Sequence, residues 1–123
     1  MPKLRSCAAI LQVRDVDASM SWYEANLGFS SHAFPKTAPH VFCVLARDGV
    51  ELMLQKRDDV ARMRASDTWH VYLRVEGVRD LFDAARNNSA VDVVEALHKT
   101  SHDDSEFAIR DPDDYVLVFG EAI

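Results

Sequence analysis

The chain runs through one order of elements and then runs through it again. Leu11-Gln12-Val13-Arg14-Asp15-Val16 opens the first half, and Leu73-Arg74-Val75-Glu76-Gly77-Val78 opens the second, half a chain length later. Each opening is a short apolar run that breaks at a charged or glycine-containing turn and continues into residues at helical spacing. A repeat of this kind constrains the fold more than composition does. Each half must obey the same local rules and bury the same kind of face.

In the first half, Cys7 to Val13 reads as a strand ended by Arg14-Asp15. Asp15 or Asp17 is expected to cap a helix by accepting backbone N–H bonds in its first turn. Val16, Met20, Tyr23 and Leu27 form one apolar stripe, and Gly28 suits the left-handed residue that closes a helix. Phe29 to Phe34 reads as a short strand, and Pro35 and Pro39 bracket a loop. Val41 to Ala46 and Val50 to Gln55 read as a hairpin around Asp48-Gly49. Lys56 to Asp67 reads as a charged surface connection, with a helical turn at Val60, Met63 and Arg64.

The second half repeats the order. Trp69 to Val75 is a strand, and Val78, Leu81, Phe82 and Ala85 make a helical stripe ended by Asn87-Asn88. Val91 to Leu97 is a strand, and His98 to Ser105 reads as a polar loop. Phe107 to Arg110 and Tyr115 to Phe119 flank the turn Asp111-Pro112-Asp113-Asp114. The fold class is therefore α+β, a single domain over 1–123 made of two tandem βαβββ modules, at about 5–57 and 68–121. Two such modules are expected to set their strands as one curved mixed sheet around a cleft, with the helices outside.

Composition narrows the function classes. With 48% hydrophobic residues the chain can build a core without disulfides or zinc. A net charge of −6 argues against a nucleic-acid partner, which needs clustered Lys and Arg, and is compatible with a neutral or cationic small ligand. Cys7 and Cys43 sit in apolar runs and are expected to be buried free thiols. The N-terminus lacks the apolar core of a signal peptide and no window is long enough for a membrane span, so a cytoplasmic protein with no membrane partner is expected. No nucleophile elbow, phosphate-binding loop, dinucleotide fingerprint or C-x-x-C motif is present.

Four segments together, in order, resemble the vicinal-oxygen-chelate superfamily of glyoxalases, bleomycin-resistance proteins and dioxygenases. They are LQVRDVDASMSWYEANLGF, DGVELML, WHVYLRVEGVRDLFDAA and FAIRDPDDYVLVFGE. One departure is Asp114, where the family usually carries glycine. Aspartate tolerates left-handed backbone, so the turn can survive. The catalytic relatives hold one divalent metal on the first and last strands of each half. By position those ligands fall on Ala8, Glu51, His70 and Val118. Ala8 and Val118 have no donor atom, and two protein ligands are fewer than catalytic metals usually show. No metal or other cofactor is therefore expected. A Glu51–His70 hydrogen-bonded pair is expected in its place. His98 and His102, four residues apart, read as part of the solvated loop and not as a helical zinc site.

The resemblance implies a cleft whose lining follows strand alternation. Phe42, Glu51, Met53, His70, Tyr72, Phe107 and Val118 are the expected ligand-binding residues. The leading expectation is a homodimeric small-molecule-binding protein, similar to bleomycin-resistance proteins, that sequesters a hydrophobic or cationic compound without metal and so confers antibiotic resistance. The alternative is a metal-dependent lyase, isomerase or dioxygenase that uses Glu51 and His70.

Overall fold

A computed structural model describes residues 1–58 and 68–123; the helical turn read at Val60, Met63 and Arg64 lies outside these residues. The chain forms two compact units, one carrying the first repeat and the other the second.

The first unit contains β1 (Ala9–Val13), α1 (Val16–Leu27), β2 (Ser30–Phe34), β3 (Phe42–Arg47) and β4 (Val50–Lys56). Its sheet has the order β1-β4-β3-β2, with β1 parallel to β4 and the other pairs antiparallel. Alternate residues explain the single buried face: Leu11, Val13, Cys43, Leu45, Leu52 and Leu54 are all buried, as are Val16 and Tyr23 of α1. Asp15 is the cap, with Oδ1 accepting from the Ala18 N–H at 3.0 Å. Asp17 has another task. It accepts the His40 backbone N–H at 2.9 Å and meets the His40 ring, which ties the proline-bracketed loop to the helix. Those contacts, the backbone N–H first, hold its carboxyl below the usual range. Gly28 closes α1 at φ 69. Asp48 and Gly49, at φ 52 and 81, make the expected two-residue turn, with Arg47 opposite Val50.

Cys43 is buried, but Cys7 is exposed, contrary to expectation. The reason is that strand pairing begins at Ala9, opposite Leu52, and leaves Cys7 ahead of the sheet.

The second unit contains β5 (Val71–Arg74), α2 (Val78–Arg86), β6 (Asp92–Lys99), β7 (Asp104–Arg110) and β8 (Val116–Ala122). The order β5-β8-β7-β6, with β5 parallel to β8, reproduces that of the first unit. The repeat read from the sequence is thus a repeat of topology. The stretch 98–105 is not the loop that its polarity suggested. β6 continues to Lys99, β7 starts at Asp104, and the Thr100 N–H closes the hairpin on the Asp104 carbonyl at 2.8 Å. A strand on the edge of its sheet can carry polar side chains to solvent and still pair.

α2 lacks a capping side chain of its own, because Gly77 precedes it at φ 82. Glu121 of β8 supplies one: its Oε1 accepts from the Gly77 and Val78 N–H groups at 3.1 and 3.0 Å. A carboxylate there also meets the positive end of the helix dipole. Glu121→Ala is therefore expected to cost about 1 kcal/mol, read as a lower unfolding midpoint in urea. No helix among the described residues is long and apolar enough to cross a membrane.

Candidate ligand-binding site

In the first unit, α1 covers one face of the sheet and the other face is open. Register places Phe42 opposite Gln55, Val44 opposite Met53 and Ala46 opposite Glu51, all on the open side. The expected lining residues Phe42, Glu51 and Met53 therefore share one surface. β2 extends it with His32 and Phe34, whose rings stack at 4.8 Å, and the Phe34 and Phe42 rings lie 6.3 Å apart. Gln12 donates to Gln55 at 3.1 Å on the same face. Ser30, Ser31, His32, Phe34, Val44, Ala46 and Glu51 line an open depression of about 430 Å³. Glu51 is exposed at its edge, and no cation pairs with it among the described residues. His32 and Phe34 had not been singled out from sequence, although alternation along Ser30–Phe34 was enough to put them on one side.

In the second unit, Tyr72 lies opposite Val118, and both pack with Ala108 and Val116. Val118 is fully buried. His70 uses its ring to brace the start of β8: the Val116 N–H donates to Nδ1 at 2.9 Å, and the His70 N–H donates to the Val116 carbonyl at 3.0 Å. Nδ1 is therefore an acceptor and the ring hydrogen sits on Nε2. Tyr115 packs edge-on against the same ring at 5.3 Å.

Phe107 is on the wrong side for the role expected of it. It pairs with Phe119, stacks on that ring at 4.9 Å and meets Phe82 of α2 at 5.4 Å, with 1% of its surface exposed. The cause is the loop. A four-residue turn was expected, but Arg110 pairs with Val116, so Tyr115 belongs to the loop as well. Asp111 holds this longer loop by accepting the Asp113 and Tyr115 N–H groups, both at 2.9 Å, while Asp114 takes φ 70. A shift of one residue moves every side chain of β7 to the other face.

The same shift brings Ala108, Glu106 and Asp104 to the side of Tyr72. The Tyr72 hydroxyl donates to Oε2 of Glu106 at 2.7 Å, and the Arg74 guanidinium donates to Asp104 at 3.2 Å while lying 5.0 Å over the Tyr72 ring. Burial, then the hydrogen bond to the Glu106 carboxylate, pushes the Tyr72 hydroxyl up to about 12. Sequence reasoning missed this group because it treated 98–105 as loop.

A family model described as the Glyoxalase/Bleomycin resistance protein/Dioxygenase superfamily matches residues 4–119. No curated protein matches the chain significantly. Among solved structures, a glyoxalase-related enzyme from Clostridium phytofermentans superposes with a TM-score of 0.80 at 16% identity, covering 99% of this chain and 98% of its own. TioX from Micromonospora sp. ML1 superposes with a TM-score of 0.77 at 17% identity, covering 94% and 97%. A bleomycin-binding protein from bleomycin-producing Streptomyces verticillus, complexed with copper(II)-bleomycin, gives 0.71 at 20% identity, covering 97% of each chain. Identities at this level speak for a shared fold.

Proposed function

The chain belongs to the glyoxalase/bleomycin resistance protein/dioxygenase superfamily, and from that premise we propose that it binds a small aromatic or cationic compound without a metal at the family's four ligand positions. The observation that carries this reading is the open face of the first sheet, where the Glu51 carboxylate, with no cation partner among the described residues, borders a depression walled by His32 and Phe34. Aromatic rings supply area and attract cations, and the carboxylate fixes the charged end. The donor set supports the absence of metal. Val118 is buried hydrocarbon, Ala8 has no donor, and Nδ1 of His70 already accepts a backbone hydrogen bond. The reading includes a homodimer, for which sedimentation should give twice the 13.9 kDa chain mass. It also includes sequestration as the means of resistance, by analogy with the bleomycin-binding relative.

The test uses metal-free bleomycin and planar cationic dyes as probes on chelator-treated protein, followed by calorimetry. Saturable binding is expected, and Glu51→Gln should weaken it roughly tenfold, the equivalent of one charge-assisted hydrogen bond. Its thermal midpoint should not move, because Glu51 is exposed. Absence of binding, together with stoichiometric metal that is lost in both Glu51→Gln and His70→Ala, would favour the metal-dependent enzyme instead.

A further inference from the structure

We propose that His102, Asp104 and Glu106, at the β6–β7 hairpin of the second module, form a binding site for zinc or another divalent first-row transition-metal ion. Asp104 and Glu106, two apart in β7, share one face of the strand, and the hairpin turn before it, with Asp103 at φ 65, brings His102 alongside. One ligand atom from each falls within 4.8 Å of the others. None of the three is at a position where the catalytic relatives hold their metal.

Burial distinguishes this cluster from an ordinary acidic surface. Asp104 is 5% exposed and Glu106 is 1% exposed. Buried carboxylates need partners, since an unpaired buried charge is costly. Among the described residues, Glu106 has a single donor, the Tyr72 hydroxyl, and that bond goes to Oε2. Oε1 has none. Asp104 has the Arg74 guanidinium, whose side chain is 68% exposed, and the His102 ring, with Nε2 3.3 Å from Oδ2. Two buried carboxylates therefore face one solvated cation. A divalent ion between them would neutralise the excess.

The donor types narrow the ion. One imidazole and two carboxylates suit zinc, manganese or cobalt, whereas calcium and magnesium favour oxygen-only sets. Bond lengths of about 2.0–2.2 Å put neighbouring ligand atoms roughly 3–3.5 Å apart, and Nε2 of His102 is already 3.3 Å from Oδ2 of Asp104. His102 can make the remaining adjustment, because its side chain is 59% exposed. Tyr72 fixes the Glu106 carboxylate from behind, in the way that outer hydrogen bonds orient metal ligands. Water would complete the coordination.

The test is a zinc titration of chelator-stripped protein by calorimetry, repeated with manganese. One zinc per chain is expected. His102→Ala and Glu106→Gln should abolish binding, and Tyr72→Phe, which removes only the outer hydrogen bond, should weaken it roughly 10- to 100-fold. Circular dichroism of each variant verifies folding, and His102→Ala tests the site even if Glu106→Gln does not fold. Glu51→Gln and His70→Ala should bind zinc as the parent does. The proposal is overturned if the parent protein takes up no zinc, if His102→Ala binds it as tightly, or if the loss occurs in Glu51→Gln and His70→Ala. Failure here leaves the metal-free ligand reading of the first module intact, because the two tests use different probes and different residues.

Discussion

Replacing Phe107 with alanine is expected to cost roughly 3–5 kcal/mol of stability and to leave the affinity for a small ligand unchanged. The ring is nearly completely buried and packs between Phe119 of β8 and Phe82 of α2. Alanine would leave a cavity under the helix that fixed backbone on both sides cannot close. For a chain of this size the loss corresponds to a fall of roughly 10–20 °C in the thermal midpoint. Calorimetric binding at a temperature where the variant stays folded separates the two roles. A small change in midpoint with a weakened ligand would return Phe107 to the binding surface and would mean that the register of β7 is shifted by one.

That single residue of register separates what could be read from the sequence from what could not. Element order, both helices and both of their C-terminal boundaries followed from apolar spacing and from Gly28 and Asn87, which are local signals. The first module's open face followed as well, because Asp48-Gly49 specifies a two-residue turn and so fixes which residues of β3 and β4 share a side. The turn at Asp111 gave no comparable constraint. Four residues and five residues fit the same letters, and the choice rests on Tyr115 continuing the loop, where its ring meets His70. Phe107 was placed on the wrong face for that reason, whereas Tyr72 and Val118 share a face, as strand alternation predicts.

The hairpin at 99–104 shows a different limit. His98 and His102 invite comparison with a helix, at whose period they share a face. His102 instead sits in the hairpin turn, with Nε2 3.3 Å from Oδ2 of Asp104, and His98, in β6, is opposite Glu106. The polar residues on either side of this turn lack the apolar alternation by which a strand is normally recognised. The cluster becomes visible only once a hairpin turn is placed between β6 and β7. Glu121 is similar. Nothing in its neighbourhood along the chain indicates a helix cap, since the helix it caps begins at Val78.

Gly120→Ala is expected to destabilise the second module by roughly 2–5 kcal/mol, the sum of overpacking and of an unsatisfied buried group. Gly120 sits in β8 opposite Arg74 and Glu106, and a Cβ there would meet the Tyr72 hydroxyl oxygen at 2.0 Å and its Cζ at 2.6 Å. The tyrosine ring lies across the strand where the glycine has no side chain. It is not free to swing away at low cost. Its hydroxyl is bonded to Glu106, the Arg74 guanidinium covers its face, and Trp69 packs against it at 5.8 Å. Displacing it would also strip Glu106 of its donor. Thermal unfolding of Gly120→Ala, Tyr72→Ala and the double variant measures the coupling. The glycine substitution should cost little once the ring is gone, so the two effects should be far from additive. Tyr72→Phe gives no such relief, because the ring carbon that carries the hydroxyl remains in the way. Strict additivity would mean that Tyr72 does not lie over Gly120, and would remove the support it gives to Glu106. If the coupling is found, Gly120→Ala should also lower zinc affinity by about the same factor as Tyr72→Phe, since both act on the ion only through the orientation of one carboxylate.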